Sequence, residues 1–155
     1  MIPDRVAAVR ERIARAAERA SRPPGGVTLV AVSKTHPPEA VRAAFAAGVR
    51  DFGENRVQEA EPKIAATADL AASGLCWHLV GHLQSNKVRK ILPLVEMIHS
   101  VDRPDLARDI SRIAGELGLR AQILLQVNVA SDDAKFGFTA AGVRALLPEL
   151  LTLPG

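Results

Sequence analysis

Apolar side chains first recur every three or four residues. Val6, Val9, Ile13 and Ala16 or Ala17 fall on one stripe between Asp4 and Ser21, which predicts an amphipathic helix packed on a core. Arg22-Pro-Pro-Gly-Gly26 ends that helix. Short apolar runs then alternate with helical patterns, the signature of βα units and a parallel sheet. The first strand is predicted at 27–33 with a helix at 38–47 closed by Gly48, the second strand at 49–52 with a helix at 55–66. A third strand at 76–80 precedes a helix at 85–92. A fourth at 97–101 precedes a helix at 104–117, with Pro104 in its first turn and Gly118 as its stop. The fifth, 121–129, leads through Ser131-Asp-Asp133 and Phe136-Gly-Phe138 into a last helix at 140–151.

No internal repeat and no low-complexity linker interrupts the pattern, so residues 1–155 are expected to form one domain. Five parallel strands fit either a complete doubly wound sheet or the first five units of an eight-stranded barrel. The closing Leu153-Pro-Gly155 follows a helix with turn residues that normally feed another strand, so an incomplete barrel is at least as well supported as a domain that ends there.

Composition narrows the classes. With 155 residues, 48% of them apolar and 24% charged, the chain can bury one sizeable core and is not disordered. A net charge of +3 and a pI near 9.5 raise the question of nucleic acid. The arginines at 5, 10, 12, 15, 19 and 22, however, are interleaved with Asp4, Glu11 and Glu18. A solvated, ion-paired helix face accounts for them without a polyanion. A single cysteine, Cys76, rules out an internal disulfide and suits a reducing cytoplasm. No apolar run approaches membrane-spanning length, and no signal-peptide segment opens the chain.

Candidate chemistry gathers where strands end. Leu29-Val-Ala-Val-Ser-Lys-Thr35 carries Lys34 to the C-terminal mouth of an apolar strand, where active sites of α/β folds lie. The following loop, Ser33-Lys-Thr-His-Pro-Pro38, contains no glycine, which argues against a phosphate-cradling nucleotide loop. What remains is an amine: a lysine drawn partly out of water keeps a neutral fraction and can attack an aldehyde to form a Schiff base. Asn55, in Phe52-Gly-Glu-Asn-Arg-Val-Gln-Glu59, is expected at the mouth of the neighbouring strand, either capping the next helix or touching a ligand. In Trp77-His-Leu-Val-Gly-His82 the two histidines are four apart; on a strand that is about 13 Å, too far to share a metal. His82 at the mouth could still approach a ligand, with His78 a hydrogen-bonded core residue. The next stretch, Leu83-Gln-Ser-Asn-Lys87, can turn donors toward an anion. Asn128, at the closing end of the fifth strand, needs a partner in a neighbouring loop or a ligand. Lys135 adds a second amine in a glycine-containing loop near the same mouth.

Together with Ile98-His-Ser-Val-Asp102 and Gln126-Val-Asn-Val129, these segments resemble, in order and along essentially the whole chain, the pyridoxal phosphate homeostasis protein family. The resemblance implies an α/β fold: a (β/α) barrel of the TIM, alanine-racemase type, present here as an N-terminal helix plus five βα units and lacking its C-terminal strands. It implies that Lys34 holds pyridoxal 5′-phosphate as a Schiff base, that Asn55 lies in the cofactor pocket, and that Lys135 falls on a loop lysine able to take part in binding or hand-over. His82 and Asn128 complete the set of candidate cofactor-binding residues. No catalytic residue is assigned, because the family carries and buffers the cofactor without established turnover. The implied partners are pyridoxal phosphate and the apoenzymes that receive it, with a cytoplasmic monomer and no nucleic acid or membrane.

The alternative on the same fold is a pyridoxal-phosphate-dependent amino-acid racemase or decarboxylase. Racemases that resemble this chain use tyrosines to hold the phosphate and to oppose the lysine, and this chain has no tyrosine. They also tend to carry His-Arg-Leu-Gly where Ala134-Lys-Phe-Gly137 stands. Racemisation needs a proton acceptor on each face of the substrate carbon. Family members continue into strands whose loops bring serine, glycine and arginine groups to the phosphate. From these 155 residues alone the expectation is therefore weak cofactor retention and an open sheet flank.

Overall fold

A computed structural model describes residues 1–130, 132 and 135–155. Ser131, Asp133 and Ala134, and with them part of the loop predicted to lead into the last helix, lie outside the described residues.

The chain opens on α1 (Ile2–Arg19), whose first turn carries Pro3 and Asp4 and whose stripe reaches the core at Val6 and Ala17. Five strands follow: β1 (Val30–Val32), β2 (Asp51–Glu54), β3 (Cys76–Leu79), β4 (Met97–Val101) and β5 (Gln122–Leu125). All pair in parallel, in the order β1-β2-β3-β4-β5. The connecting helices are α2 (Pro38–Ala46), α3 (Val57–Ala66), α4 (Val88–Ile91) and α5 (Pro104–Leu117), with α6 (Ala140–Leu150) after β5. Sequential parallel order with a helix in each crossover is the architecture of a partial (β/α) barrel. Among the described residues no helix is long and apolar enough to cross a membrane.

Local rules explain the best-defined elements. In α5, Pro104 occupies the first turn with Asp105 beside it, and Gly118 closes the helix in a left-handed conformation at φ 67°. Its stripe of Leu106, Ala107, Ile110, Ile113 and Ala114 is buried, and the larger aliphatic side chains stabilise the fold by about 1.5–3 kcal/mol each. That stripe meets Leu79, Ile98, Leu83 and Ile91 in the main core, while Phe52, Trp77, Val41 and Val49 form a second cluster under α2.

Register assigns the faces. Ala31, Phe52 and Trp77 stand in one row and Glu54, Leu79 and Ile98 in another, both toward the helices. The opposite face carries Val30, Val32, Gly53 and His78. At Gly53 an added Cβ would lie 3.2 to 3.4 Å from methyls of Val80, Val30 and Val32, so the missing side chain lets these three close over the strand. Val32 and Leu124 remain 47% exposed on this face.

Several boundaries differ from the sequence pattern, beginning with the first strand, which is Val30–Val32 and not 27–33. The second strand is Asp51–Glu54, not 49–52: Val49 is buried just ahead of it and the ladder begins where Asp51 pairs with Val30. The helix expected at 85–92 is a single α-turn, α4, flanked by 3-10 segments Ser85–Lys87 and Leu92–Leu94. Pro93 cannot donate to a continuing α-helix, which limits the element on that side. The fifth strand stops at Leu125, after which Val127 bridges Phe138. A 3-10 segment at Ala68–Ser73 was not visible in the hydrophobic pattern.

Candidate functional site

Lys34, Asn55 and His82 follow β1, β2 and β3, three adjacent strands, so they share the C-terminal end of the sheet. Lys34 sits in a four-residue turn closed by the His36 N–H donating to Ser33 O at 3.1 Å. The next residue, Thr35, is held at φ 64°, a left-handed conformation that costs a β-branched residue energy. Lys34 is exposed, and among the described residues its amine has no hydrogen-bond or ion-pair partner.

Both sides of that turn are pinned from α3. On one side, Lys63 Nζ donates to Ser33 O at 2.8 Å and to Glu54 Oε1 at 2.5 Å, and Ser33 Oγ donates to the same carboxylate oxygen at 2.6 Å. Glu54 is fully buried, Lys63 and Ser33 nearly so, and Glu54 Oε2 has no hydrogen-bond partner among the described residues. On the other side, the Thr35 N–H donates to Glu59 Oε2 at 3.3 Å. Lys63 and Glu59 are one helical turn apart, which lets a single helix grip both ends of the turn.

The sequence reading missed Ser33, Glu54 and Lys63. A signal was present: the buried stripe of α3 runs Val57, Ala60, Lys63, and a lysine inside an apolar stripe needs a buried counter-charge.

Asn55 is half-buried directly after β2. It does not cap the following helix: the N-cap is Arg56, without a side-chain cap bond, because β2 runs two residues further than its pattern predicts. Its backbone is fixed by Gly81, where a Cβ would lie 2.3 Å from Asn55 O. Only a residue without a side chain allows that approach.

His82 Nδ1 lies 2.8 Å from Asp102 Oδ2, and Asp102 Oδ1 accepts from Arg103 Nη1 at 2.7 Å. Asp102 is buried, so one carboxylate ties the loop after β3 to the end of β4. The Phe136 ring stacks on His82 with centroids 4.3 Å apart and planes at 22°, which brings the loop after β5 over the same mouth. In that loop Asn128 Nδ2 donates to Asp132 O at 2.8 Å and to Lys135 O at 3.3 Å. The Asn128 amide is thus engaged by its own loop. Lys135 Nζ pairs with Asp132 Oδ2 at 3.0 Å and is exposed.

His78 belongs to a different group. Its Nδ1 is 3.0 Å from His99 Nε2 and its Nε2 is 3.1 Å from Asp51 Oδ1, on the face opposite the helices. Burial, and then His78, hold the His99 imidazole below its ordinary value. Burial, followed by Asp51 and Glu96, raises the Cys76 thiol above its own. The two histidines of the Trp77–His82 motif therefore have separate partners. Among the described residues no cluster of three or more His, Cys, Asp or Glu side chains could hold a metal.

The model of the alanine racemase N-terminal domain family matches residues 5–155. The chain is 46% identical over 155 residues to the pyridoxal phosphate homeostasis protein of Pseudomonas aeruginosa, covering 99% of this chain and 65% of that one. It is 37% identical over 153 residues to the protein of the same name from Escherichia coli K12, with coverage of 99% and 65%. It thus spans about 65% of the length of these curated relatives. The structure of PipY from Synechococcus elongatus, solved with PLP bound, superposes with a TM-score of 0.81 at 46% identity, over 99% of this chain and 65% of that one. Alanine racemase from Streptomyces coelicolor shares the fold at a TM-score of 0.62 and 20% identity, over 92% of this chain and 37% of that one.

Proposed function

This chain belongs to the alanine racemase N-terminal domain family, and on that premise we propose that it holds pyridoxal 5′-phosphate through Lys34 Nζ and serves intracellular homeostasis of the cofactor. The observation that carries the proposal is the Lys34 turn: an exposed amine at the strand mouth with no partner among the described residues, beside a strained Thr35, gripped from both sides by α3. The donor set suits the group. When bound, pyridoxal phosphate supplies an aldehyde carbon for an amine and an anionic phosphate for cationic or N–H donors. Lys34 would take the aldehyde, and Asn55, fixed by Gly81, would orient the ring. His82, Lys135 and Phe136 stand around the same mouth, with Asn128 shaping the loop that carries the last two.

The curated relatives are named for homeostasis of pyridoxal phosphate and PipY holds PLP in its structure, which supports cofactor binding and delivery over turnover. We assign no catalytic residue, and the recipients would be apoenzymes that need the cofactor, in the cytoplasm, from a monomeric carrier. The test is to add pyridoxal phosphate, follow the absorbance of the imine, reduce it with borohydride and map the adduct by mass spectrometry. Label on Lys34, lost in Lys34→Ala, is the expected result; label elsewhere with Lys34 unmodified overturns the proposal. Exchange of an amino acid's α-proton, or release of carbon dioxide, by the loaded protein would establish a racemase or decarboxylase in its place.

A further inference from the structure

The Gln84–Lys87 stretch is left without a role by cofactor binding alone, yet it lines a recess at the strand mouth. This cleft, of about 510 Å³, lies between the start of α3 and the loop after β3 and is lined by Arg56, Glu59, His82, Gln84 and Lys87, among others. Its wall touches the Lys34 turn, because Glu59 accepts the Thr35 N–H. Resting on the reading of Lys34 given above, we propose that the cleft binds a free α-amino acid, the amine that competes with Lys34 for the cofactor.

The charges fit a zwitterion. Arg56 and Lys87 supply two cations for a carboxylate. Arg56 is 77% exposed on its side chain and only loosely paired, its Nη1 3.8 Å from Glu59 Oε1. Lys87 is half-buried and has no side-chain partner among the described residues. Glu59 and His82 face the ammonium. An ammonium cannot act as a nucleophile until it loses a proton. His82 is arranged to take it: Asp102 engages Nδ1, which leaves the Nε2 lone pair as the acceptor. In that step an N–H bond of the ammonium breaks and an Nε2–H bond forms. The products are a neutral amine and an imidazolium beside the buried Asp102 carboxylate. The charged groups around the imidazole are Asp102 and Arg103 from the end of β4, Arg56 and Glu59 from α3 and the residue before it, and Lys87 from the loop after β3. Phe136 covers one ring face.

The experiment uses the full chain without cofactor, with its histidine and lysine side chains labelled for NMR, titrated with glycine, methylammonium and acetate in turn. Glycine should move the His82 and Lys87 signals saturably, with methylammonium and acetate at least about tenfold weaker. Arg56→Gln combined with Lys87→Gln should weaken glycine by about tenfold or more while circular dichroism stays unchanged. In protein already loaded at Lys34, His82→Asn should slow release of the cofactor to glycine by about ten- to a hundredfold, with each rate normalised to that variant's own loaded fraction. Absence of a saturable shift at glycine concentrations on the order of 100 mM, or equal binding by the double variant, overturns the inference. Label on Lys34 together with either result would remove the cleft and leave the cofactor reading standing. Glycine binding with Lys34 unlabelled would remove the cofactor reading and keep the cleft as an amino-acid site.

Discussion

Replacing Lys63 by methionine should be among the most damaging single substitutions in this chain that leaves Lys34 itself untouched. The unbranched stem is kept, with a thioether in place of one methylene, and the side chain ends where the ammonium began, so packing is nearly conserved. What changes is electrostatic: Glu54 Oε1 loses a donor at 2.5 Å, Ser33 O loses one at 2.8 Å, and Glu54 Oε2 has no partner among the described residues to begin with. Breaking a buried pair from one side costs about 3–5 kcal/mol, because a charge is left in a low dielectric. Against a total stability of about 5–15 kcal/mol that is a large share, and at this length it lowers Tm by about 6–20 °C. The assay is urea unfolding followed by the fluorescence of Trp77, which is buried, with thermal melting by circular dichroism alongside.

Glu54→Leu combined with Lys63→Met supplies the decisive comparison. Removing both charges should restore stability to within about 1–2 kcal/mol of the parent, since a buried ion pair contributes little over an apolar replacement. Capture of pyridoxal phosphate by Lys34 should not recover with it. The Ser33 carbonyl still lacks its ammonium, the turn is held from the Thr35 side alone, and a displacement of about 1 Å can cost about a hundredfold in rate. A loss below about 1 kcal/mol in Lys63→Met, or a double variant as unstable as the sum of its singles, would refute the reasoning. Recovery of capture together with stability would show that the network supports the fold and not the lysine.

Three further outcomes are expected. Gly81→Ala should lose about 1–3 kcal/mol, because the new methyl meets Asn55 backbone at 2.3 to 2.8 Å; Gly115→Ala, in the interior of α5 with nothing within 4 Å, should gain about 0.4–1 kcal/mol in the same melts. His99 is held below its ordinary value in the fold, so the unfolded chain binds the proton first: its contribution is complete above about pH 6.5 and is lost as pH falls below that value. Stability measured between neutral and mildly acidic pH should fall less steeply in His99→Asn. Cys76, raised by burial and then by Asp51, should alkylate more slowly at pH 8 than a free thiol, and Asp51→Asn should speed it, read by mass spectrometry.

What was legible in the sequence was what periodicity encodes. The 97–101 strand and the 104–117 helix emerge residue for residue, because a short stretch with apolar ends at Met97, Ile98 and Val101 and a proline-started, glycine-stopped amphipathic helix each carry their own boundary signals. The 85–92 segment did not, since Pro93 and competing 3-10 geometry leave no periodic mark over so few residues. The same divide runs through the site. Lys34, Asn55 and His82 were visible because strand ends are visible, and the Lys135 loop lies over their mouth through Phe136. Asn128 answered its need for a partner within its own loop. Lys63 carried one local signal, its place in the apolar stripe of α3, but Glu54 taken singly reads as a surface charge, and only the pairing of β2 with α3, which no local rule specifies, turns the two charges into one buried device. That device is also the most economical explanation of Thr35. A β-branched residue at positive φ persists only where its surroundings over-determine it, and here Lys63 and Glu59 fix the backbone on both sides of Lys34 from one rigid helix. The strain and the buried pair therefore belong to the same argument: the fold spends stability at this one turn to hold an amine in place.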